Sequence, residues 1–271
     1  MRAVGWAPDM IDSLLTPVAL LGRAVISVTR STGRLTLFLF EGLSHIFRPP
    51  FYGRMFWSSF AEFSYFSLPM VALIALFTGM VLALQSATGL SRFNAESEIA
   101  NLVVISMTRE LGPVLTAVMI AGRVGAATAA QIGTMRVTDQ IDALTTLSTN
   151  PMKYLVAPRL LAGTLALPIL VLVADVVGVA GGYLVSVFKF GFASEVYLSN
   201  TLNFMTTLDV VSGLVKGAVF GLLVALLGCY NGYRSRGGAE GVGSATTASV
   251  VVASVLIFVF DYIITELFFS R

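Results

Sequence analysis

The stretch that decides the fold, Arg109–Leu147, reads RELGPVLTAVMIAGRVGAATAAQIGTMRVTDQIDALTTL. Its first half is long, apolar and rich in small residues, yet it carries Arg109, Glu110 and Arg123. From Gln131 onward the stretch becomes polar without losing helical character. This pattern predicts a membrane helix that continues directly into a short amphipathic helix on the cytoplasmic side.

The overall composition is that of an integral membrane protein. The 271 residues are 56% hydrophobic and 12% charged, with a mean hydropathy of +0.85, whereas soluble domains carry about twice that charged fraction. The net charge of +2 is too small to indicate nucleic-acid binding. Cys229 and His45 stand alone, which excludes an internal disulfide and argues against cysteine or histidine metal sites. The N-terminus lacks the pattern of a cleaved signal peptide.

The expected fold class is an all-α integral membrane protein with one transmembrane domain over residues 1–271. Five apolar stretches are long enough to cross a bilayer: 64–86, 101–130, 160–185, 210–230 and 246–268. The cytoplasmic helix, of three turns, is expected between the second and third spans, over residues 131–147.

Residues 1–50 are expected to form an interfacial amphipathic helix that lies along the membrane and ends at the two prolines. Its charged residues fall on one side of the helix and apolar residues occupy the rest: Arg23, Arg30, Arg34 and Glu41. The other interpretation is a poor transmembrane helix, because charges interrupt every run of about 20 apolar residues.

The loop charges predict the orientation. With the N-terminus inside, eleven lysines and arginines lie on the cytoplasmic side and three on the other. Cytoplasmic loops of membrane proteins are enriched in these residues. We therefore expect a cytoplasmic N-terminus, an external C-terminus and residues 131–158 in the cytoplasm.

Two faces are predicted for the second span. On an ideal helix Thr116 falls about −20° and Arg123 about −40° from Arg109, which makes one polar line. Small residues occupy roughly the opposite face and would permit close helix packing: Gly122, Gly125, Ala126, Ala129 and Gly133. The arginines either snorkel to the interfaces or face a bundle interior or cavity, as charges at this depth usually do.

Charged residues of three spans are expected at similar depth near the outer leaflet: Arg109, Glu110, Lys216, Asp261 and Glu266. They either surround a site of head-group size or only pair with each other to hold the helices together. Asp175, nearer the middle of the membrane, has no predicted role. The four-residue spacing of Gly213, Gly217 and Gly221 predicts close packing, within one subunit or across a dimer.

The segment after Gly133 is predicted to form a docking helix that ends at Pro151. Val137, Ile141 and Leu144 share one face of it, and Asp139, Asp142 and Thr146 lie on another. Such a helix suits a groove in a soluble partner, whereas two aspartates suit an anionic lipid surface poorly. The residues expected to couple to the partner are Met135, Arg136, Val137, Thr138, Asp139, Gln140, Ile141, Asp142 and Leu144.

The sequence lacks the motifs of common catalytic sites. It contains no GxxxxGK[ST] phosphate loop, no HExxH and no GxSxG. We therefore expect a non-catalytic chain whose energy comes from a partner or an ion gradient. A gradient-driven carrier typically shows inverted repeats, and no convincing repeat is visible.

Three segments resemble the MlaE-type permease family: the block from RELGPVL to DQIDAL, NPMKYLVAPRLLAG, and NGYRSRGGAEGVGSATTASVV. The resemblance covers about residues 50–268. These permeases belong to ABC transporters that move phospholipids for the bacterial outer membrane or the chloroplast envelope. The resemblance implies a bacterial inner-membrane location and a non-catalytic chain without a cofactor of its own, with ATP and Mg bound by a partner.

The resemblance also implies partners and site residues. It implies a homodimer, an MlaF-like ATPase docked on residues 131–147, a periplasmic MlaD-like MCE-domain protein and often an MlaB-like STAS-domain protein. Phospholipid is implied to sit in an outward-facing cavity between the two permease copies. The family's charged positions map onto Arg109, Glu110, Arg123 and Lys216. Together with Thr116 from the helix angles and Asp261 from its depth, these residues are the candidates for head-group or cavity contacts.

Two other functions stay open at this point. The chain could be a passive scaffold that seats an MCE protein without moving lipid, or an ion-coupled carrier. ATP-dependent lipid transfer would separate the permease from the scaffold, and a need for an ion gradient without an ATPase would indicate the carrier.

Overall fold

A computed structural model describes residues 7–46, 48–90 and 98–270 of the chain. Throughout these ranges the regular secondary structure is helical, without strands. Five helical stretches within them are long and apolar enough to cross a membrane: Gly53–Leu90, Ile99–Val137, Met152–Phe188, Thr207–Tyr233 and Gly238–Phe269. The prediction of an all-α integral membrane protein is confirmed.

The first helix, α1 (Ala7–Ile46), is 40 residues long. Its second half packs on the other helices through Leu35, Phe38 and Leu39, while Leu37 and Phe40 stay 71% and 64% exposed. An apolar surface of this kind fits the predicted contact with lipid. The interfacial position of α1 stays a prediction, and residues 1–6 and 47 of the predicted segment lie outside the described residues.

The first span consists of α2 (Gly53–Phe63) and α3 (Leu68–Leu90), joined by a turn. One face of α3 is buried at four-residue intervals: Val71, Ala75, Gly79, Ala83 and Ala87. Because these side chains are small, the backbone of α3 closely approaches that of the long helix α8 (Ala157–Phe188). A Cβ atom added at Gly79 would collide with the backbone of Gly178.

The second span is one continuous rod in five segments. It contains α4 (Ile99–Ser106), α5 (Gly112–Ile120) and α6 (Ala126–Val137). Two π-helical turns, Met107–Leu111 and Ala121–Gly125, separate these segments. All three charged residues of the membrane half of this span lie in the π turns, which widen the helix locally and often occur at functional sites.

The remaining elements complete the bundle. A π-helical turn at Met152–Val156 leads into α8, and the later helices are α9 (Ser194–Phe204), α10 (Thr207–Tyr233) and α11 (Gly238–Phe269). The second span, α8 and α10 form the buried centre, because α10 packs on both of the others. Helices α3 and α11 flank this centre and expose apolar side chains outward, including Phe77 and Phe258.

The helices extend beyond the predicted spans, most clearly in α11. We predicted its start at residue 246, since the preceding segment is rich in glycine. The structure starts α11 at Gly238, after Gly237 with a φ of 87°. Gly237 and Gly238 both have a positive φ, which suits glycine in a turn. The later glycines, Gly241 and Gly243, lie within the helix instead of extending the loop.

The predicted single helix over residues 131–147 is wrong. The membrane helix α6 continues to Val137, and a separate short helix, α7 (Gln140–Thr146), follows. Asp139 between them has a φ of 59°, which interrupts the helical hydrogen bonds. Aspartate tolerates this left-handed conformation better than most residues.

Gly79→Ala is expected to destabilise the chain by about 1–3 kcal/mol or more, because the new methyl group overpacks the α3–α8 contact. Gly89→Ala in the same helix is the matched control, since no described atom lies within 4 Å of its added Cβ. Thermal unfolding of the purified variants in detergent measures the difference. Equal midpoints for the two variants would contradict the close α3–α8 packing.

Candidate functional site

A fully buried lysine forms the centre of the candidate site. Lys216 of α10 has no exposed surface, and its Nζ lies 2.9 Å from Glu110 Oε2 and 2.7 Å from Asp261 Oδ1. The same ammonium group donates to the carbonyl oxygen of Arg109 at 2.7 Å. Thr265 of α11 donates to the second oxygen of Glu110 at 3.1 Å. One lysine therefore joins the second span, α10 and α11.

A second ion pair lies beside the lysine. Arg109 Nε is 2.6 Å from Asp209 Oδ1, and Asp209 is fully buried at the start of α10. Asp209 accepts hydrogen bonds from the backbone nitrogen and the hydroxyl of Thr206. Its own backbone N–H donates to Thr206 Oγ1 at 3.4 Å, which completes a capping box. Arg109 is thus attached to the first turn of α10, and the ring centroid of Phe269 lies 4.1 Å from its guanidinium carbon.

The exposure of these charges is graded. The side chains of Lys216 and Asp209 are inaccessible, Asp261 is 16% exposed, and Arg109 and Glu110 are 30% and 40% exposed. The buried charges fix the geometry, while Arg109 and Glu110 reach the surface at the end of the bundle where α4 and α10 begin. A guanidinium group presented in this way can bind a phosphate through paired hydrogen bonds.

One of the three carboxylates predicted for this cluster is replaced by another in the structure. We expected Glu266, which is exposed and makes no ion pair with the cluster in the described part of the chain. Asp209 takes that place. Its signal was present in the sequence, because the Thr206-x-x-Asp209 pattern before an apolar run indicates a helix cap.

The predicted polar line of Arg109, Thr116 and Arg123 is wrong. Arg109 contacts α10, whereas Arg123 Nη1 donates to Ser67 Oγ at 2.5 Å in the turn between α2 and α3. Thr116 is 2% exposed and lines a small cavity between the second span, α3 and α8. The ideal 100° step fails here because the π turns change the phase of the helix.

The glycines of α10 pack within the chain. An added Cβ would lie 2.7 Å from the Thr108 carbonyl at Gly213 and 3.1 Å from Pro168 Cα at Gly217, and at Gly221 it would collide with the backbone of Gly163. For these three positions the contact is thus inside one subunit.

The small residues of the second span divide into two groups. Gly125 lies against Val224 of α10, with an added Cβ 3.2 Å from its Cγ1. Gly122 is exposed, with no described atom within 4 Å of an added Cβ, and Ala126 is half-buried. Close packing of Gly122 against another chain therefore stays a prediction.

The predicted coupling residues do not share one surface. Ile141 is 1% exposed, and Met135 and Leu144 also pack on the chain's own core. Arg136 Nη1 lies 2.6 Å from Asp142 Oδ1, which fixes α7 against the end of α6. The outward surface, here named the α7 tip, consists of Thr138, Asp139, Gln140, Asp142, Ala143, Thr145, Thr146 and Leu147.

Asp175 is buried in α8 next to the first π turn. An added Cβ at Gly112 would collide with its Oδ1, so this glycine leaves room for the carboxyl group. Its Oδ1 has no hydrogen-bond partner among the described residues. Over the described ranges no three His, Cys, Asp or Glu side chains are arranged to hold a metal.

A multi-pass bundle with an internal charge cluster and a short helical turn between its second and third spans is typical of a membrane permease subunit. Residues 56–267 match the family described as Permease MlaE. Because this match covers well over half of the chain, the chain belongs to the MlaE permease family and is a permease subunit of an ABC transporter.

Individual relatives agree with this assignment. A probable ABC transporter permease protein of Rickettsia felis is 53% identical over 92% of this chain and 96% of its own length. The intermembrane phospholipid transport system permease protein MlaE of Haemophilus influenzae is 35% identical over 93% of this chain and 97% of its own length. Protein TRIGALACTOSYLDIACYLGLYCEROL 1 of Arabidopsis thaliana is 36% identical over 75% of this chain and 58% of its own length.

Proposed function

We propose that this chain moves phospholipids between the bacterial inner membrane and a periplasmic MCE-domain protein, driven by a separate ATPase. The observation that carries the proposal is the partly exposed Arg109 and Glu110 above a buried lysine. This site offers both charges to a zwitterionic or anionic head group. The name of the Haemophilus relative gives the substrate class.

The proposed direction of insertion follows from the loop charges. With the N-terminus in the cytoplasm and the C-terminus outside, the Lys216 cluster lies near the outer leaflet and the α7 tip lies in the cytoplasm. ATP hydrolysis on the partner would then act at one end of the second span and the head-group site at the other. The second span, with its two π turns, would transmit the movement.

The proposed assembly is a homodimer with lipid held between the two copies. The unfilled surface at Gly122 is suited to a close helix contact. An MlaF-like ATPase would bind the α7 tip, an MlaD-like MCE protein would lie above the dimer, and an MlaB-like STAS protein would bind the ATPase. ATP and Mg would be held by the ATPase, and this chain would bind no cofactor.

Arg109→Ala is expected to lower the phospholipid that co-purifies with the dimer about tenfold or more, because one charge-assisted contact to phosphate is worth about 1.5–3 kcal/mol. The double variant Arg109→Ala/Asp209→Asn should lose lipid to the same extent, because it leaves no unpaired buried carboxylate behind. Mass spectrometry of lipids extracted from equal amounts of purified protein measures this. Arg54→Ala is the matched control, since Arg54 is an exposed arginine at the start of α2. Unchanged lipid content in Arg109→Ala would mean that the charges only hold helices together.

Co-purification separates the proposed function from the ion-coupled carrier, and the ATP dependence of lipid movement separates it from the passive scaffold. A permease and a passive scaffold would both retain an MCE protein, but only the permease requires the ATPase for lipid movement. An ion-coupled carrier would move lipid or ions without any ATPase. Pull-down of an ATPase with the tagged chain would therefore exclude the carrier.

A further inference from the structure

Four arginines from three separate segments line one cavity at the end of the bundle where α6 and α10 end. This cavity, of about 580 Å³, is formed by Arg34 of α1, Arg136 at the end of α6, and Tyr233, Arg234 and Arg236 at the end of α10 and the loop after it. It lies at the opposite end of α10 from Asp209 at its first turn. It is thus separate from the candidate head-group site.

Aromatic side chains hold two of the arginines in place. Arg234 donates to the hydroxyl of Tyr230 at 2.7 Å and lies 5.2 Å from the centroid of that ring. Arg136 lies 5.9 Å from the centroid of Tyr233. Phe38 of α1 contacts both tyrosines, with ring centroids 5.5 and 5.9 Å away. The walls of the cavity are therefore packed in a defined arrangement.

The cavity has an excess of positive charge. Asp142 pairs with Arg136, and Glu41 lies close enough to influence Tyr233 electrostatically. Among the described residues, no carboxylate pairs with Arg34, Arg234 or Arg236. Only one of the four lining arginines, Arg136, is thus paired with a carboxylate in the described part of the chain, so three positive charges have no ion-pair partner there. A ligand with two negative charges would complement these charges.

We infer that this cavity binds an acidic phospholipid of the cytoplasmic leaflet, with a diphosphate lipid such as cardiolipin preferred. One wall belongs to α1, whose neighbouring residues Leu37 and Phe40 are 71% and 64% exposed and suit acyl chains. Basic cavities between membrane helices on the cytoplasmic side bind such head groups. The lipid would join α1 to the end of α10 and to the Arg136–Asp142 pair that holds α7.

The lipid proposed for this cavity is distinct from the transported phospholipid, because it would serve a structural role. An acidic lipid bound here would stabilise the position of α7 next to the proposed ATPase contact. Its cytoplasmic location rests on the proposed orientation, but binding of the lipid to purified protein does not.

The test is native mass spectrometry of the full-length chain in detergent, titrated with cardiolipin, phosphatidylethanolamine or inorganic pyrophosphate. We expect cardiolipin to bind at least tenfold more tightly than phosphatidylethanolamine, and pyrophosphate not to displace it. With about fivefold for each arginine near the head group, R34Q/R236Q should weaken cardiolipin binding about 25-fold. R34K/R236K should retain most of the affinity, because it keeps both charges.

Two controls make the outcome specific. R54Q removes an exposed arginine outside the cavity and should leave cardiolipin binding unchanged. R109A alters only the proposed transport site, so R34Q/R236Q should lower cardiolipin binding by the same factor in an R109A background, which separates this site from the proposed function. Equal cardiolipin binding by R34Q/R236Q and the unaltered chain would overturn the inference. So would displacement by pyrophosphate, or a loss of ATPase association in R34Q/R236Q without loss of lipid.

Discussion

Lys216→Met is expected to destabilise the folded chain by about 3–5 kcal/mol, the usual cost of removing one partner from a buried ion pair. Lys216 is completely buried, and its substitution leaves Glu110 and Asp261 without the cation that they share. The two carboxylates then repel each other, and Asp261, only 16% exposed, is poorly solvated without the ammonium group. The thermal unfolding midpoint in detergent should fall by many degrees.

A triple variant tests whether the charge or only the shape matters. Lys216→Met combined with Glu110→Gln and Asp261→Asn removes all three charges and should recover most of the lost stability, because neutral groups of similar shape need no counter-charge. Lys189→Met, at an exposed lysine, serves as the control and should unfold like the unaltered chain. An unchanged midpoint in Lys216→Met alone would contradict the buried cluster.

Leu147→Arg is expected to weaken binding of the ATPase about tenfold or more while leaving the chain folded. Leu147 is a large apolar residue that is 75% exposed on the α7 tip, and an arginine buried there in an interface without a counter-charge carries a desolvation cost of several kcal/mol. Since Leu147 makes little contact with its own chain, an arginine there should not alter packing. Pull-down of the ATPase with the tagged chain, together with stimulated ATP hydrolysis, measures the effect.

Charge substitutions refine the same test. Asp139→Asn removes an exposed charge but keeps a residue that tolerates the positive φ, so it isolates the electrostatic part of docking. The matched control for Leu147→Arg is Leu202→Arg, because Leu202 is 68% exposed in α9, distant from α7. If Leu147→Arg and Leu202→Arg retain the ATPase equally, the partner does not bind at the α7 tip.

The number and class of the spans follow from apolar length alone. Only the span 64–86 is free of charged residues; the other four carry one to three each, but their long apolar stretches still exceed what a soluble helix needs, so the five spans were predictable. Their ends were not, because glycine marks either a loop or a helix start. Gly237 and Gly238 have the positive φ of a turn, whereas Gly241 and Gly243 are helical, and only the structure shows this difference.

The charge cluster was partly predictable from the membrane depth of its residues. Charged residues at similar membrane depth on neighbouring spans are expected to form ion pairs, because an unpaired charge in lipid is costly. This argument brings Lys216 together with Glu110 and Asp261, as in the structure. The depth argument missed Asp209, because this residue lies just before the predicted fourth span. Its capping pattern with Thr206 could have been recognised in the sequence.

The π turns could not be predicted from the sequence. A π turn depends on which backbone carbonyls are shifted, and no residue type marks it as proline marks a kink. Its consequence is large, because Arg109 and Arg123 contact different neighbours instead of sharing one face. Likewise, Ile141 was expected to face a partner, but it is buried against its own chain.

Transfer of labelled phospholipid in proteoliposomes tests the central claim most directly. The chain would be reconstituted with its ATPase and MCE partners, and lipid moving between vesicle and MCE protein would be followed with and without ATP. The proposed function predicts transfer that requires ATP and decreases in step with ATPase binding in the Leu147→Arg complex. Transfer that is equal without ATP, or absent in a complex that hydrolyses ATP, would contradict an ATP-driven phospholipid permease.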